Sequence, residues 1–241
     1  MQFNHFKIMG YFNMTCKHIH KNCALTKISR RTFLKYTGII AVGVSWHGID
    51  CFGQQSAIGA SKGYLLIDSK KCQGCQTCML ACSLVHEGEE NLSLARIQVV
   101  QNPFGKYPSD ILLAQCRQCI DPSCLLACPT GALHADAQRG YVRIVDSEKC
   151  IGCRACVLAC PYKPGRGIWN FIGGYAQKCD LCINTPYWDE AGGPSGKQAC
   201  VEACPIGAIT FTCSIPRQNG DAGYDVNLRD LSWKMLGYPL D

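Results

Sequence analysis

The 241-residue chain holds 20 Cys, and only 17% of its residues are charged. Its formal charge of +6 arises within residues 1–60, where seven Lys or Arg stand against one Asp; residues 61–241 balance 17 basic against 17 acidic side chains. That neutral remainder gives little support to a nucleic-acid partner, and the Cys content demands either a disulfide framework or metal. The grouping decides for metal, because sixteen of the thiols fall in four near-identical quartets that a disulfide scaffold does not need.

Residues 1–28 are polar and basic, with Lys7, Lys17, Lys21 and Lys27, and read as a leader in which Met14 is an alternative start. Ser29 to Lys35 then matches the twin-arginine export motif S-R-R-x-F-L-K, with Arg30 and Arg31 as its pair. Tyr36 to Trp46 is a short apolar run, below the roughly 20 residues a bilayer span requires, and suits the core of a signal peptide. Ala57-Ile58-Gly59 offers a cleavage site near 59/60, so residues 1–59 form the expected leader. Cys51 follows Asp50, which does not suit a lipoprotein signal. Export of a folded protein fits the thiols, since free Cys is oxidised outside the cytoplasm. The expected destination is the periplasm or the outer face of the cytoplasmic membrane, reached through the twin-arginine machinery.

Tyr64 to Ile67 reads as a strand leading into Asp68 and the first quartet, Cys72, Cys75, Cys78 and Cys82. The spacer 83–110 carries one expected strand, Ala95 to Gln101, and His86, Glu87, Glu89 and Glu90 are expected to be solvated. The second quartet is Cys116, Cys119, Cys124 and Cys128, widened by Asp121-Pro122 and followed by Pro129. An expected strand over Tyr141 to Val145 leads to the third, Cys150, Cys153, Cys156 and Cys160.

This third quartet has the iron–sulfur spacing C-x2-C-x2-C-x3-C-P. Its first three thiols suit three corners of one cubane. The fourth lies one helical turn further on, and in two-cluster ferredoxins it ligates the other cluster. Pro161 ends that turn for want of an N–H. A structural zinc site would show two separated pairs instead. Residues 67–72 align with 145–150 at an offset of 78, and so do the quartets behind them, which marks an internal duplication. The fourth quartet is Cys179, Cys182, Cys200 and Cys204, followed by Pro205. Its long gap, Gly-rich over 191–196, is expected to be an exposed loop, with Trp188 just inside it as a packed aromatic or, alternatively, a partner contact. Cys213 is expected to be a small buried hydrophobe. Residues 213–241 read as a polar tail with scattered aromatics, and no transmembrane helix is expected after the leader.

Four quartets in this order, with the second and fourth stretched, resemble the four-cluster electron-transfer subunits of the dimethyl sulfoxide reductase family of molybdenum and tungsten oxidoreductases. The resemblance covers roughly residues 62–212. It implies an α+β fold of two ferredoxin-like, double-cubane modules related by duplication, with short hairpins and helices around four [4Fe–4S] clusters. One module would span 60–110 plus 175–212, with quartets one and four; the other would span 111–174, with quartets two and three. The implied ligand sets are Cys72, Cys75, Cys78 and Cys204; Cys179, Cys182, Cys200 and Cys82; Cys116, Cys119, Cys124 and Cys160; and Cys150, Cys153, Cys156 and Cys128. Nearby charges such as Lys178 and Arg154 would tune the clusters. The implied partners are a molybdenum- or tungsten-pterin catalytic subunit and a membrane anchor or cytochrome. A hydrogenase, a tungsten aldehyde oxidoreductase or a life as a free polyferredoxin are the alternatives. No catalytic triad, phosphate loop or dinucleotide fingerprint is present, so the chain is expected to carry electrons and not to catalyse.

Overall fold

The computed structural model describes residues 58–107, 109–228 and 235–237. Arg30, Arg31 and the leader up to residue 57 lie outside the described residues. The elements are short. Strand β1 (Tyr64–Ile67) runs into the first Cys loop, and helix α1 (Thr77–Glu87) follows. A 3-10 turn (Leu92–Leu94) leads to strands β2 (Ile97–Gln101) and β3 (Ile111–Gln115). Then come the one-turn helix α2 (Ser123–Leu126), strands β4 (Leu133–Asp136) and β5 (Val142–Val145), and the one-turn helix α3 (Ala155–Leu158). Strands β6 (Gly167–Asn170) and β7 (Tyr175–Lys178), helix α4 (Ala199–Glu202) and strand β8 (Ile209–Thr212) complete the series.

The strands pair as four antiparallel ribbons, β1–β8, β2–β3, β4–β5 and β6–β7. Tyr64 faces Thr212 and Ile67 faces Ile209, so the first and last strands lie together and bring the first and fourth quartets to one place. The hairpin β2–β3 has its strands on either side of residue 110, and β6–β7 has its strands on either side of residue 174. An isolated two-stranded ribbon is marginal in water, so these ribbons depend on what they pack against.

Two regions repeat the same local design. The Asp68 carboxylate accepts from the amides of Lys70 and Lys71, and the Asp146 carboxylate accepts from those of Glu148 and Lys149. The Asp68 amide donates to Ala208 O and the Asp146 amide to Ala132 O. Each Asp thus fixes the turn between a strand and a Cys loop.

Helix α1 buries Cys78, Met79, Cys82, Val85 and His86 along one stripe. The core around it mixes Leu65, Ile67, Ala95, Ile97, Leu113, Leu181 and Ile209 with Cys78, Cys82, Cys116, Cys179 and Cys200. Thiols therefore replace aliphatic side chains in the centre of the fold. No helix among the described residues is long and apolar enough to cross a membrane.

Three expectations are corrected. His86 is buried, because its ring bonds Asp180 and the Cys82 carbonyl. Glu87 is likewise drawn in, by Arg96 at 3.4 Å and Gln177 at 2.8 Å. Cys213 is exposed, since it follows the end of β8 where the chain leaves the core. Trp188 packs against the Val85, Cys182 and Ala199 cluster, in agreement with its expected role. The segment 217–228 is docked rather than free. Tyr224 is fully buried, Asp221 bonds Arg117 and Arg166, and the Val226 amide donates to Ile67 O.

Candidate metal centre

Each Cys loop turns on residues in the left-handed backbone region. These include Gln76 and Arg154 in the first and third quartets, Gln118 in the second, and Leu181 and Cys182 in the fourth, with φ between 49° and 63°. Such conformations cost of order 1–3 kcal/mol at a non-Gly residue and persist only where the surroundings enforce them. Here they fold short loops back on themselves and aim amides at sulfur. Gln118 N donates to Cys116 Sγ at 3.4 Å, Leu133 N to Cys128 Sγ at 3.3 Å and Arg166 N to Cys160 Sγ at 3.2 Å. Arg96 N donates to Cys82 Sγ at 3.3 Å, Ala199 N to Cys182 Sγ at 3.4 Å and Ala208 N to Cys204 Sγ at 3.2 Å.

The folding brings the sixteen thiols into four sets. Cys72, Cys75, Cys78 and Cys204 line one void. Cys82, Cys179, Cys182 and Cys200 line a second. Cys116, Cys119, Cys124 and Cys160 line a third, with Cys156 at its edge. Cys128, Cys150 and Cys153 each act on Cys156 through their charge and form the fourth set with it. In every set the last Cys comes from a different quartet. One helical turn in α1 separates Cys78 from Cys82, so the two thiols belong to adjacent sets.

The electrostatics of the thiols follow from this crowding. Burial pushes Cys78 up to about 12, and the neighbouring Cys72, Cys204 and Cys75 add to the shift. Cys124 is likewise raised to about 12 by burial and by Cys116, while Lys178 opposes the change. Burial also raises Cys179, Cys200 and Cys182. Thiolates packed this closely require positive charge among them. Among the described residues, no three His, Cys, Asp or Glu side chains are arranged to hold a single metal ion. The donor set is all sulfur, arranged in fours and bonded by backbone amides, and it fits the iron–sulfur cofactor that the spacing implies.

A buried network beside the second void escaped sequence reasoning. Asp180 accepts from His86 Nε2 at 3.0 Å and from Arg96 Nη1 at 2.6 Å. Burial alone would lower His86, but the bonds to Asp180 and Cys82 raise it to about 9. Burial alone would raise Asp180, but Arg96 and His86 hold it at about 2. Arg154 stacks over Trp169 at 4.3 Å beside the Cys150 loop, and Lys178 is buried with its ammonium on the carbonyls of Arg143 and Cys179. The 183–199 segment is exposed at Asn184, Pro186 and Tyr187, as expected, yet its Gly-rich part is tied down. Gly193 N donates to Leu181 O at 2.7 Å, and a Cβ on Gly192 would overlap Cys182 O. That part therefore buttresses a Cys loop.

The 4Fe-4S dicluster domain family matches residues 109–214, and a 4Fe-4S binding domain matches 69–85. The Protein NrfC homolog of Haemophilus influenzae is 35% identical over 195 residues, covering 78% of this chain and 80% of that protein. The chain belongs to the family of 4Fe-4S ferredoxin-type electron-transfer subunits that includes NrfC and its counterpart in dimethyl sulfoxide reductase. That counterpart, from the anaerobic dimethyl sulfoxide reductase of Escherichia coli K12, is 39% identical over 158 residues, covering 60% of this chain and 70% of that protein. The NADH-dependent phenylglyoxylate dehydrogenase subunit beta of Aromatoleum evansii is 35% identical over 167 residues; the match spans 68% of this chain but only 34% of the relative. The two matched 4Fe-4S domains and the many Cys support [4Fe–4S] clusters in this chain.

Proposed function

We propose that the chain is a four-cluster wire, and that the four thiol sets hold four [4Fe–4S] clusters. The observation that carries this reading is the crossing of the last Cys of each quartet into another set, which makes two interlocked pairs of sites. Cys72, Cys75, Cys78 and Cys204 are the ligands of one cluster, and Cys82, Cys179, Cys182 and Cys200 of its mate. Cys116, Cys119, Cys124 and Cys160 hold the third, and Cys128, Cys150, Cys153 and Cys156 the fourth. When bound, the clusters supply one-electron chemistry, while the protein supplies position, amide bonds to sulfur and local charge. The matching Asp68 and Asp146 turns support descent from a duplicated double-cluster module.

The partner reading follows from the relatives, whose names make them parts of larger oxidoreductases. On our reading, the chain links a molybdenum- or tungsten-pterin catalytic subunit to a membrane anchor or cytochrome. The Arg30–Arg31 motif sends it, folded, to the periplasmic side. Anaerobic isolation from the native cell tests this. Co-purification with a large pterin-binding subunit supports the dedicated role. Recovery of the chain alone, reducing unrelated acceptors equally well, replaces that role with a free polyferredoxin.

A further inference from the structure

The four sites differ sharply in buried charge. The void ringed by Cys116, Cys119, Cys124 and Cys160 is lined by Arg117, Arg143, Arg166 and Lys178, and no carboxylate lines it. These four cations are 3%, 1%, 4% and 6% exposed. The Cys72 void has no charged lining residue, and the Cys82 void has Arg96 and His86, both already bonded to Asp180. At the fourth site Cys153 and the adjacent Arg154 are both exposed, so water screens charge there.

Little protein charge neutralises the four cations. Asp221 bonds Arg117 at 2.6 Å and Arg166 at 3.2 Å, but it is 39% exposed and not part of the lining. Arg143 donates to the carbonyls of Gly59, Tyr141 and Cys119, and Lys178 to those of Arg143 and Cys179. Lys178 also feels Asp180, which Arg96 and His86 already hold. Arg143 Nε and Arg166 Nε and Nη1 are buried with no hydrogen-bond partner. Buried, unneutralised cations of this kind are strongly unfavourable unless an anion stands beside them.

The charge count identifies the anion. Four cations and one carboxylate leave roughly +3 around the void, while four thiolates on an oxidised cluster core leave roughly −2, and one further electron makes that roughly −3. We propose that Arg117, Arg143, Arg166 and Lys178 act as positioning residues that favour the reduced form at this site and make it the highest-potential of the four. This inference rests on the cluster reading given above. One electron enters, supplied by a neighbouring lower-potential centre or, in the test, by dithionite; no bond forms or breaks. The guanidinium charges are permanent, so no proton need accompany it.

The test is a mediated redox titration of the anaerobically purified full chain, read by electron paramagnetic resonance, with iron counted on the same samples. Lys178→Met should lower the midpoint of the first-reduced centre so that its reduced-to-oxidised ratio at fixed potential falls about tenfold, a shift of about 59 mV. Lys178→Arg should restore it. Asp221→Asn removes the opposing charge from a half-exposed position and should move the same centre upward. The centres at the Cys72 and Cys150 sets should stay in place, whereas Lys178→Met also reaches the Cys179 carbonyl of the second set. Unchanged midpoints in Lys178→Met and Asp221→Asn, or shifts of the same sign in both, would overturn the proposal while sixteen irons leave the cluster reading standing. If Lys178→Met loses its iron, the sign of the Asp221→Asn shift decides alone. A wild-type chain without iron at the Cys116 set would overturn both readings.

Discussion

Tyr224 tests whether the C-terminal segment is part of the fold that holds the third thiol set. Its hydroxyl donates to Arg117 O at 2.6 Å and accepts from Gln218 Nε2 at 2.8 Å. The Arg117 guanidinium lies 4.6 Å from its ring centroid, and Tyr64 packs against the ring at 6.4 Å. Tyr224→Phe keeps the ring and strands a buried carbonyl, a loss of about 1–3 kcal/mol. Tyr224→Ala also opens a cavity and removes the stacked cation, for a loss of about 3–5 kcal/mol. At about 2–4 °C per kcal/mol for a domain of this size, Tyr224→Phe should melt roughly 2–12 °C below wild type and Tyr224→Ala lower still. Calorimetry of the anaerobic holo-protein at one fixed scan rate reads the difference, because unfolding of such a protein is in practice a rate. Wild-type melting temperatures in both variants would show that 217–228 is a detachable tail.

Three further outcomes follow from the same geometry. Cys119→Ser or Cys153→Ser should lower both the iron content and the accumulated yield, because metal-site energy is folding energy when thiols fill the core; normal yield of the iron-depleted protein would contradict this. The His86–Asp180 pair sets a pH window. His86, raised to about 9, contributes stability that is full below its unfolded value of about 6.5 and fades as pH climbs through 9. Asp180, held at about 2, contributes above about 3.9 and loses its share as pH falls towards 2. His86→Gln should therefore flatten the alkaline decline in melting temperature between about pH 6.5 and 9, and an undiminished decline would refute the role given to the pair. Finally, replacing Arg30 and Arg31 by Lys should leave holo-protein in the cytoplasm; undisturbed export in a cell fractionation would mean the motif is unused or a partner carries the chain.

The sites were more legible in the sequence than the fold. The Cys spacings announce their chemistry because a cubane imposes intervals along the chain. Strand β1 was readable at Tyr64 to Ile67, where four apolar residues stop at Asp68. The expected strand from Ala95 starts at Ile97 because the Arg96 amide turns to Cys82 Sγ instead of the ladder. Tyr141 falls outside β5 because its backbone is left-handed and closes the preceding turn. Strands β3, β4, β6, β7 and β8 are four or five residues long, too short for alternation to register, and they exist through pairing and burial. The His86–Asp180 bond joins residues 94 apart, and Tyr224 reaches Arg117 across 107, so neither leaves a local signal.

The count of clusters is the central claim, and direct metal analysis tests it. Anaerobically purified chain, assayed for iron, acid-labile sulfide and zinc against amino-acid-quantified protein, should give about sixteen irons and as many sulfides per chain. Dithionite should bleach its broad visible absorption. About eight irons would leave half the thiol sets without a cluster, and stoichiometric zinc without iron would contradict the account outright.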